Sequence, residues 1–225
     1  MASGLVIGLV GGTGHLGPGL AVRWAARGYK VLIGSRKREK AERIARYVQG
    51  LLSSHGLSVE IGYGENREII AKSDVVVLTV PYTALTGLIP LLASTIKEES
   101  IVVTPVVPFL IKNRDIRLVR VAEGSVAEML TKHLPQARIV SALHTVPYKL
   151  LLDFPKPIEG DVLVLGDDLE AVSDVMKLIR EIPNLRPIYG GGLEFSVAVE
   201  SLTPILINIG RRTGKPNVSI KLTGI

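Results

Sequence analysis

The residues that most clearly indicate chemistry are three glycines near the start of the chain. Gly12, Gly14 and Gly17 form a Gly-x-Gly-x-x-Gly pattern that follows the apolar run Leu5–Val10 and leads into a segment of helical period. The first glycine permits a tight turn, the second lets the backbone approach a pyrophosphate, and the third lets helix and strand pack closely. The free N–H groups of the helix start attract the phosphates, and Thr13 can add a hydroxyl donor. The pattern predicts a dinucleotide-binding turn, with a glycine-rich turn that binds no nucleotide as the alternative.

The end of the second apolar run carries cations. In this type of fold an Asp or Glu at that point would bond the 2′-hydroxyl of the adenosine ribose and repel a 2′-phosphate. Here positions 34–38 read Gly-Ser-Arg-Lys-Arg, and no carboxylate is available before Glu39. Ser35 can donate its hydroxyl, Arg36 can pair with a phosphate dianion, and Lys40 can supply a second cation. These residues favour NADP over NAD, and the alternative is a solvated basic turn.

Two further strand ends should open onto the same crevice, because ligands of parallel sheets bind beyond the carboxyl ends of the strands. The run Val75–Val80 provides one of these strand ends. We expect its last residues and the two that follow to flank either the nicotinamide ribose or the adenine side of the nucleotide: Thr79, Val80, Pro81 and Tyr82. Tyr82 could equally be a packing residue. The other strand ends before His144, which could contact a second substrate or serve as a structural hydrogen-bonding residue.

The sequence offers no recognisable set of catalytic or metal-binding side chains. It contains no cysteine, no Ser/His/Asp arrangement, no Tyr-x-x-x-Lys pair and no metal-ligand cluster, so we expect neither a catalytic side chain nor a metal. Hydride exchange between two organic cofactors requires no protein nucleophile, because the protein has only to hold the two rings face to face and exclude water. The residues therefore agree with an oxidoreductase that uses two cofactors.

The elements that must position these residues alternate between strand and helix, which predicts parallel strands with helices on both faces. The expected strands are Leu5–Val10, Tyr29–Gly34, Val59–Ile61, Val75–Val80, Ile101–Thr104, Arg138–Leu143 and Asp161–Leu165. The expected helices are Leu16–Arg27, Lys40–Leu52, Asn66–Lys72, Ala84–Ile96, Val126–His133, Leu169–Ile182 and Glu194–Arg212, the last kinked or broken at Pro204. Between them, Pro105–Val121 is expected to be irregular.

This order predicts an α/β fold, Rossmann-type and doubly wound, with a mainly parallel sheet and a small C-terminal α/β extension. Three prolines within His144–Pro157 indicate a boundary. We therefore expect an NADP-binding Rossmann domain over residues 1–143 and a smaller C-terminal domain over residues 144–225 that completes the second site.

Composition limits the class of protein. The chain has 225 residues, 47% of them apolar, and a formal net charge of +6. Aromatic residues are only 4%, so the positive charge fits anionic small molecules, and we expect no nucleic-acid partner. No secretory signal is evident, and the apolar runs are far short of the roughly 20 residues of a membrane span. We expect a cytoplasmic protein with no membrane partner, and a homodimer, for which Ile205–Ile209 could be core or interface.

Several segments resemble the F420-dependent NADP oxidoreductase family, whose second substrate is coenzyme F420, an 8-hydroxy-5-deazaflavin. The matching strings are GGTGHLG at 11–17, IGSR at 33–36 with Lys40, LTVP at 78–81, VSALHTVP at 140–147, GDD at 166–168, LRP at 185–187 and ESLTPIL at 200–206. The resemblance covers nearly the whole chain, and the strings at 140–147 and 200–206 are more specific than the glycine turn.

The resemblance implies reversible hydride transfer between C5 of the reduced deazaflavin and C4 of the nicotinamide. It also implies contacts for NADP: with the phosphates at Thr13, His15 and Leu16, with the 2′-phosphate at Ser35, Arg36 and Lys40, and in the cleft at Tyr82, Thr86 and Tyr148. For the deazaflavin it implies His144, Val146, Pro147 and Val218.

Other functions remain open from the residues alone. An NADPH-dependent reductase of flavin or ferric chelates would share the first half of the chain. An imine reductase of the pyrroline-carboxylate type is disfavoured, because the chain lacks a long C-terminal helical dimerisation domain. A protein that senses NADP(H) without turnover would lack a crevice for a second ring. A nucleic-acid role, suggested only by charge, would show strongly salt-dependent DNA binding.

Overall fold

The structure, a computed structural model, describes residues 4–112 and 115–225. Residues 1–3, at the N-terminus expected to carry no secretory signal, and residues 113–114, within the stretch expected to be irregular, lie outside the described part. In chain order the strands are β1 (Val6–Val10), β2 (Lys30–Ser35), β3 (Gly62–Glu65), β4 (Val75–Leu78), β5 (Ile101–Thr104), β6 (Phe109–Lys112), β7 (Asp115–Leu118), β8 (Arg138–Ser141), β9 (Gly160–Val164) and β10 (Leu185–Tyr189).

The helices lie between these strands and after them. In chain order they are α1 (Leu16–Ala25), α2 (Arg38–Ser53), α3 (Asn66–Lys72), α4 (Tyr82–Thr95), α5 (Val126–His133), α6 (Tyr148–Leu152), α7 (Leu169–Arg180) and α8 (Ser196–Thr213), the last preceded by a 3₁₀ turn.

The central sheet has six strands in the order β3-β2-β1-β4-β5-β8, and every pairing within it is parallel. The chain runs outward from β1 to β3 and then crosses back to β4, so the strand order reverses between β1 and β4. A crevice at such a reversal is where nucleotides bind in doubly wound sheets. The expected Rossmann-type α/β fold is confirmed.

The side chains of the central strands alternate between the two faces of the sheet, as the period of two in a strand requires. Leu9 and Val77 belong to the core cluster that includes α1, α2 and α7. Val10 and Val76 belong to the cluster that includes α3, α4 and α5. Both faces of the sheet are therefore covered by helices, which explains why its strands read as continuous apolar runs.

A second, two-stranded parallel sheet of β9 and β10 extends the fold beyond β8. The main chains of Ser141 and Leu165 exchange two hydrogen bonds of 2.9 Å and join the two sheets in antiparallel sense. Leu151 and Val164 pack in the same core cluster as Leu20 of α1. Residues from 1–143 and from 144–225 therefore share one continuous core.

Some expected elements differ from the structure. The strand expected at Val59–Ile61 begins later, as β3 at Gly62–Glu65, where two glycines lower the β-propensity that sequence reasoning uses. Part of the stretch expected to be irregular, Pro105–Val121, forms the antiparallel hairpin β6–β7. The helix α6 and the strand β10 were not predicted. Pro187 argues against a strand, but among the described strands β10 pairs with β9 alone, and an edge strand tolerates proline.

Helix α8 continues through Pro204 and ends where Gly214 adopts a left-handed conformation, with a φ of 67°. Within the described ranges, one stretch, Leu193–Thr213, is long and apolar enough to cross a membrane, with a mean hydropathy of 1.3 over its most apolar window. Only 33% of that window is buried. No unbroken apolar run of membrane-spanning length marks this helix in the sequence, so it was not predicted as a candidate membrane span.

Candidate active site

The glycine-rich turn joins β1 to α1, and two of its glycines are required by packing. The N–H of Gly12 donates to the carbonyl oxygens of Leu9 at 3.0 Å and of Gly34 at 2.9 Å. A Cβ on Gly12 would lie 2.7 Å from the Leu9 carbonyl oxygen, and one on Gly17 would lie 2.3 Å from that of Gly12. Since real Cβ atoms do not approach so closely, a side chain at either position would distort the turn.

Gly14 differs from these two glycines, because the protein leaves room around it. A Cβ there would lie 3.6 Å from the carbonyl oxygen of Thr79 and 3.7 Å from that of Gly11, both ordinary contact distances. The absence of a side chain at Gly14 therefore serves something other than packing within the chain. It fits a backbone that a pyrophosphate approaches closely.

The start of α1 offers its N–H groups to an anion. The helix begins at Leu16, and the preceding residue, His15, makes no side-chain hydrogen bond to its first turn. That turn also contains no acidic residue. The N–H groups and the positive end of the helix dipole thus lack an internal anionic partner, which suits the phosphates of a dinucleotide.

Two residues distant in sequence hold the turn in place. Asn66, the buried first residue of α3, accepts a hydrogen bond from the N–H of Gly11 through its Oδ1 at 3.2 Å. The hydroxyl of Thr79 donates to the carbonyl oxygen of Val10 at 3.0 Å. Sequence reasoning placed Thr79 near the ligand but missed Asn66, which is separated from Gly11 by 55 positions and carries no local signal.

The basic segment after β2 contains both engaged and available cations. Arg38 forms an ion pair with Glu68 at 2.8 Å and lies over the ring of Tyr63. By contrast, Arg36 and Lys40 are exposed and form no ion pair with any described residue. Together with Ser35, which ends β2, they can bind a 2′-phosphate, and Lys37 is a further exposed cation of the same segment.

A cleft of about 780 Å³ runs from the start of α1 to the C-terminal segment of the chain. The predicted site residues among its lining are Gly14, His15, Leu16, Thr79, Val80, Pro81, Tyr82, His144, Val146, Pro147, Tyr148 and Val218. The remaining ones are placed elsewhere: Gly12 and Thr13 in the turn, Ser35, Arg36 and Lys40 at and after the end of β2, and Thr86 at an exposed position on α4.

His144 lies in this cleft immediately after an unusual backbone conformation. Leu143, which precedes it, has a φ of 70°, a conformation that costs energy for a residue other than glycine and is often found at functional sites. His144 is 6% exposed, and neither of its buried ring nitrogens has a hydrogen-bond partner among the described residues. The carbonyl oxygen of His144 accepts a bond of 2.8 Å from the hydroxyl of Thr203.

Burial lowers the pKa of His144 to about 3, because desolvation disfavours the charged ring. The imidazole is therefore neutral at physiological pH, with one nitrogen able to donate and the other able to accept. Such a ring can hydrogen-bond a polar edge of a ligand without placing a charge in an apolar pocket.

Comparison with known proteins agrees with this geometry. A sequence profile described as "NADP oxidoreductase coenzyme F420-dependent" matches residues 6–108. The F420-dependent NADP reductase of Methanocaldococcus jannaschii is 37% identical over 221 residues, which cover 97% of this chain and 98% of the relative. The protein of the same name from Methanothermobacter thermautotrophicus is 33% identical, and the match covers 97% of this chain and 95% of the relative. The chain belongs to the F420-dependent NADP oxidoreductase family.

Solved structures show the same fold as this family member. A proposed F420-dependent NADP-reductase from Arthrobacter superposes with a TM-score of 0.82 at 21% identity, over 98% of this chain and 100% of that one. A glycerol-3-phosphate dehydrogenase from Coxiella burnetii gives a TM-score of 0.61 at 13% identity, over 83% of this chain and 54% of that one. The family relationship does not favour the alternatives of a flavin or ferric-chelate reductase or of a nucleotide-sensing protein.

The far wall of the cleft is formed by elements that were not predicted from the sequence to take part in the site. Residues of the β5–β6 connection, the hairpin, α8 and the segment after α8 line it: Pro105, Val106, Val107, Phe109, Leu110, Ile111, Thr203, Leu206, Ile207 and Pro216. Most are apolar. The cleft therefore has an anion-binding end at α1 and an apolar end around His144, and this division fits the phosphates of NADP at one end and a deazaflavin ring of the family's second substrate at the other.

Helix α8 is fixed in the wall by a buried carboxylate that the sequence did not reveal as functional. Glu200 accepts hydrogen bonds from the N–H groups of Val126 at 2.9 Å and Ala127 at 3.2 Å, at the start of α5. Burial raises the pKa of Glu200 to about 7, although the two N–H donors favour the ionised form. Because Thr203 binds the carbonyl oxygen of His144 from the same helix, Glu200 helps to place α8 beside the cleft.

Proposed function

We propose that the protein transfers a hydride reversibly between reduced coenzyme F420 and NADP⁺. One observation carries the proposal: a single continuous cleft joins the uncapped start of α1 to the apolar pocket around His144. A nucleotide-binding protein without turnover would not require the second, apolar end. The curated relatives of M. jannaschii and M. thermautotrophicus, both named F420-dependent NADP reductases, cover almost the whole chain.

The NADP end is formed by residues of three strand ends. We assign the diphosphate to the turn residues Gly12, Thr13, Gly14, His15 and Leu16, and the 2′-phosphate to Ser35, Arg36 and Lys40. Around the nicotinamide ribose and the ring we place Thr79, Val80, Pro81, Tyr82 and Tyr148. Thr86 belongs to the same set only if α4 or the bound nucleotide shifts, since its position on α4 is exposed and outside the cleft lining.

The deazaflavin end is formed by His144, Val146, Pro147 and Val218. When bound, the nicotinamide and deazaflavin rings supply the hydride chemistry at their C4 and C5 atoms. The residues of the chain hold those rings in contact, exclude water with an apolar wall, and hydrogen-bond a polar ring edge through the neutral imidazole of His144. No side chain is assigned a proton-transfer or nucleophilic role, and no metal takes part.

The two parts of the chain have different roles in this proposal. Residues 1–143 supply the NADP site except for Tyr148, and residues 144–225 complete the deazaflavin site, although both share one core. We place the protein in the cytoplasm, where both coenzymes diffuse freely.

We further propose a homodimer. Helix α8 is largely unburied and exposes Val197, Ile205 and Ile209 to solvent, and the neighbouring hairpin exposes Leu110 and Ile111. Exposed apolar side chains on neighbouring elements are typical of an interface, and a second copy of the same chain can cover them by two-fold symmetry. The interface would then seal the outer side of the cleft wall.

Substrate assays test the proposal. The purified protein is mixed with NADP⁺ and reduced F420, and in separate reactions NADPH is offered FMN or a ferric chelate. We expect rapid F420-dependent formation of NADPH and negligible turnover with the other acceptors. Turnover with FMN but not with F420 would instead favour the flavin reductase.

A further inference from the structure

The last residues of the chain connect the cleft with the small sheet of β9 and β10. We name residues 215–225 the C-terminal strap. It begins just after the left-handed Gly214 that ends α8, and Pro216 and Val218 near its start line the apolar end of the cleft. Further along, the carbonyl oxygen of Ile220 accepts a bond of 2.9 Å from the N–H of Asp161 in β9. One short segment thus serves both as a wall of the cleft and as a partner of a distant strand.

The near end of the strap is pressed against α8 at a glycine. A Cβ on Gly210 would lie 2.7 Å from the carbonyl oxygen of Lys215 and 3.5 Å from a methyl carbon of Val218. The N–H of Lys215 also donates to the carbonyl oxygen of Gly210 at 3.0 Å. Because the strap packs this closely against α8, the path of the strap determines where Val218 lies.

The far end of the strap is held by the ion pair between Asp161 and Arg186, which has no other part in the site. The carboxylate of Asp161, whose side chain is 1% exposed, accepts two parallel bonds from Arg186, at 2.8 Å from Nε and 2.9 Å from Nη2. This two-point geometry is the strongest form of such a pair. It also orients the guanidinium, so that its remaining N–H groups point in fixed directions.

Those remaining groups bind the main chain of the strap. Arg186 donates to the carbonyl oxygen of Leu222 at 2.8 Å and to that of Ile225 at 3.0 Å. The N–H of Leu222 in turn donates to Asp161. The strap therefore ends in a network of charge-assisted bonds, whereas the ion pair between its Lys221 and Glu159 is exposed on both sides and contributes little.

We infer that Asp161 and Arg186 are positioning residues for the second substrate: they fix the strap so that Pro216 and Val218 close the apolar end of the cleft. The inference rests on the proposed function, since it assigns that end to the deazaflavin. Neither residue lines the cleft itself, so their effect passes through the strap. Releasing the strap opens the deazaflavin pocket to water and leaves the phosphate-binding end of the cleft intact.

Kinetics of the full-length Arg186→Met variant test the inference, with Lys221→Met as the matched control on the same strap. We expect Arg186→Met to raise the KM for reduced F420 by about tenfold, which corresponds to one well-formed polar contact. The KM for NADP⁺ should change less than about twofold, as should both constants in Lys221→Met. A folded Arg186→Met variant with an unchanged KM for F420, or with both constants raised equally, would overturn the inference.

Arg186→Met leaves the buried Asp161 carboxylate without a counter-charge, and that variant can fail to fold. The double variant Asp161→Asn/Arg186→Gln removes both charges together and then takes its place, with the same expected split between the two KM values. Arg186→Lys, which keeps one charge, should recover part of the affinity for F420.

Amide hydrogen exchange provides a measurement that needs no substrate. In the unliganded protein, two amides that bond across the junction between the strap and β9 should exchange at least about tenfold faster in Arg186→Met than in wild type: that of Asp161, which donates to Ile220, and that of Leu222, which donates to Asp161. The exchange of the α1 amides should not change. Equal exchange in both proteins would contradict the role of the pair whether or not F420 is a substrate. Loss of the proposed function would appear separately, as wild-type protein that does not turn over reduced F420.

Discussion

The imidazole of His15 stacks on the phenol ring of Tyr148, with ring centroids 4.7 Å apart and planes inclined by 25°. His15 belongs to the phosphate-binding turn, and Tyr148 begins α6, so the stack joins the two parts of the chain at the cleft. Buried Arg23 strengthens this junction from within α1, because it donates to the carbonyl oxygens of Leu151 at 2.9 Å and Leu150 at 2.8 Å. These contacts hold α6 against α1 and the phosphate-binding turn, and so keep in place a part of the cleft wall that positions the nicotinamide.

The preference for NADP over NAD depends on Arg36 in our account. Replacing Arg36 by Glu should weaken NADP⁺ binding by about 10- to 100-fold, because a charge-assisted bond is lost and a carboxylate faces the 2′-phosphate. NAD⁺ binding should change by less than about threefold. Titration of both nucleotides checks this, with Arg43→Glu on the exposed part of α2 as a control of equal charge. An equal loss of affinity for both nucleotides would show that Arg36 does not bind the 2′-phosphate.

Substitutions at Gly17 and Gly14 should have different effects: the first should lower stability, and the second should lower nucleotide affinity. In Gly17→Ala the new Cβ overlaps the backbone of Gly12, and we expect a fall in unfolding free energy of about 1–3 kcal/mol, as for other overpacked sites. In Gly14→Ala the Cβ has room within the protein, so stability should stay within about 1 kcal/mol. Nucleotide affinity should nevertheless fall at least about tenfold, because the methyl group occupies the approach of the pyrophosphate. A Gly14→Ala variant that binds NADPH normally would place the diphosphate elsewhere.

His144 should make stability depend on pH in the acid range. Its pKa is about 3 in the folded chain against the ordinary 6.5, so the unfolded chain takes up a proton first as the pH falls. Relative to His144→Leu, wild type should therefore lose stability between about pH 6.5 and 3, by up to about 4–5 kcal/mol at the acid end. Denaturant unfolding at several pH values measures the difference. Parallel pH curves for the two proteins would contradict a dry, neutral imidazole.

Glu200 supplies an internal comparison of opposite sign for that experiment. Burial raises its pKa to about 7 from the ordinary 4.5, so the folded chain binds the proton more tightly than the unfolded chain. Relative to Glu200→Gln, wild type should lose stability as the pH rises from about 4.5 to 7.

The oligomeric state should depend on the exposed face of α8. Ile205→Glu places a charge in the proposed interface, and we expect light scattering to give the mass of one chain where wild type gives that of two. Tyr47→Glu, which alters an exposed aromatic residue of α2, serves as the control and should leave the mass unchanged. If wild type has the mass of one chain, the exposed face of α8 is not a homodimer interface and must contact a different partner.

The sequence predicted the elements best where local signals agree. The helix at Val126–His133 has the bounds expected, because Ser125 caps its start: the Ser125 side chain accepts the Glu128 N–H, and its hydroxyl donates to the Glu128 carboxylate. The strand Ile101–Thr104 is a short apolar run between clear breaks and was also placed correctly. By contrast, β10 contains Pro187 and depends on pairing with β9, and such tertiary context is not visible in a single segment.

The same contrast holds for the candidate site. Residues at strand ends, such as Thr79 and His144, could be placed because every parallel strand delivers its end to the same edge of the sheet. Asn66 could not, since its hydrogen bond to Gly11 spans 55 positions. The cleft wall formed by α8 and the hairpin was likewise hidden, because which apolar face covers a ligand depends on the packing of the whole chain.

Isotope transfer tests the central claim most directly. The protein is incubated in ordinary water with NADP⁺ and reduced F420 in which both hydrogens at C5 are deuterium, and the product NADPH is analysed by mass spectrometry. Direct transfer between two rings held in one cleft predicts NADPH that contains one deuterium at C4 of the nicotinamide. NADPH without deuterium, or no NADPH at all, would contradict the account.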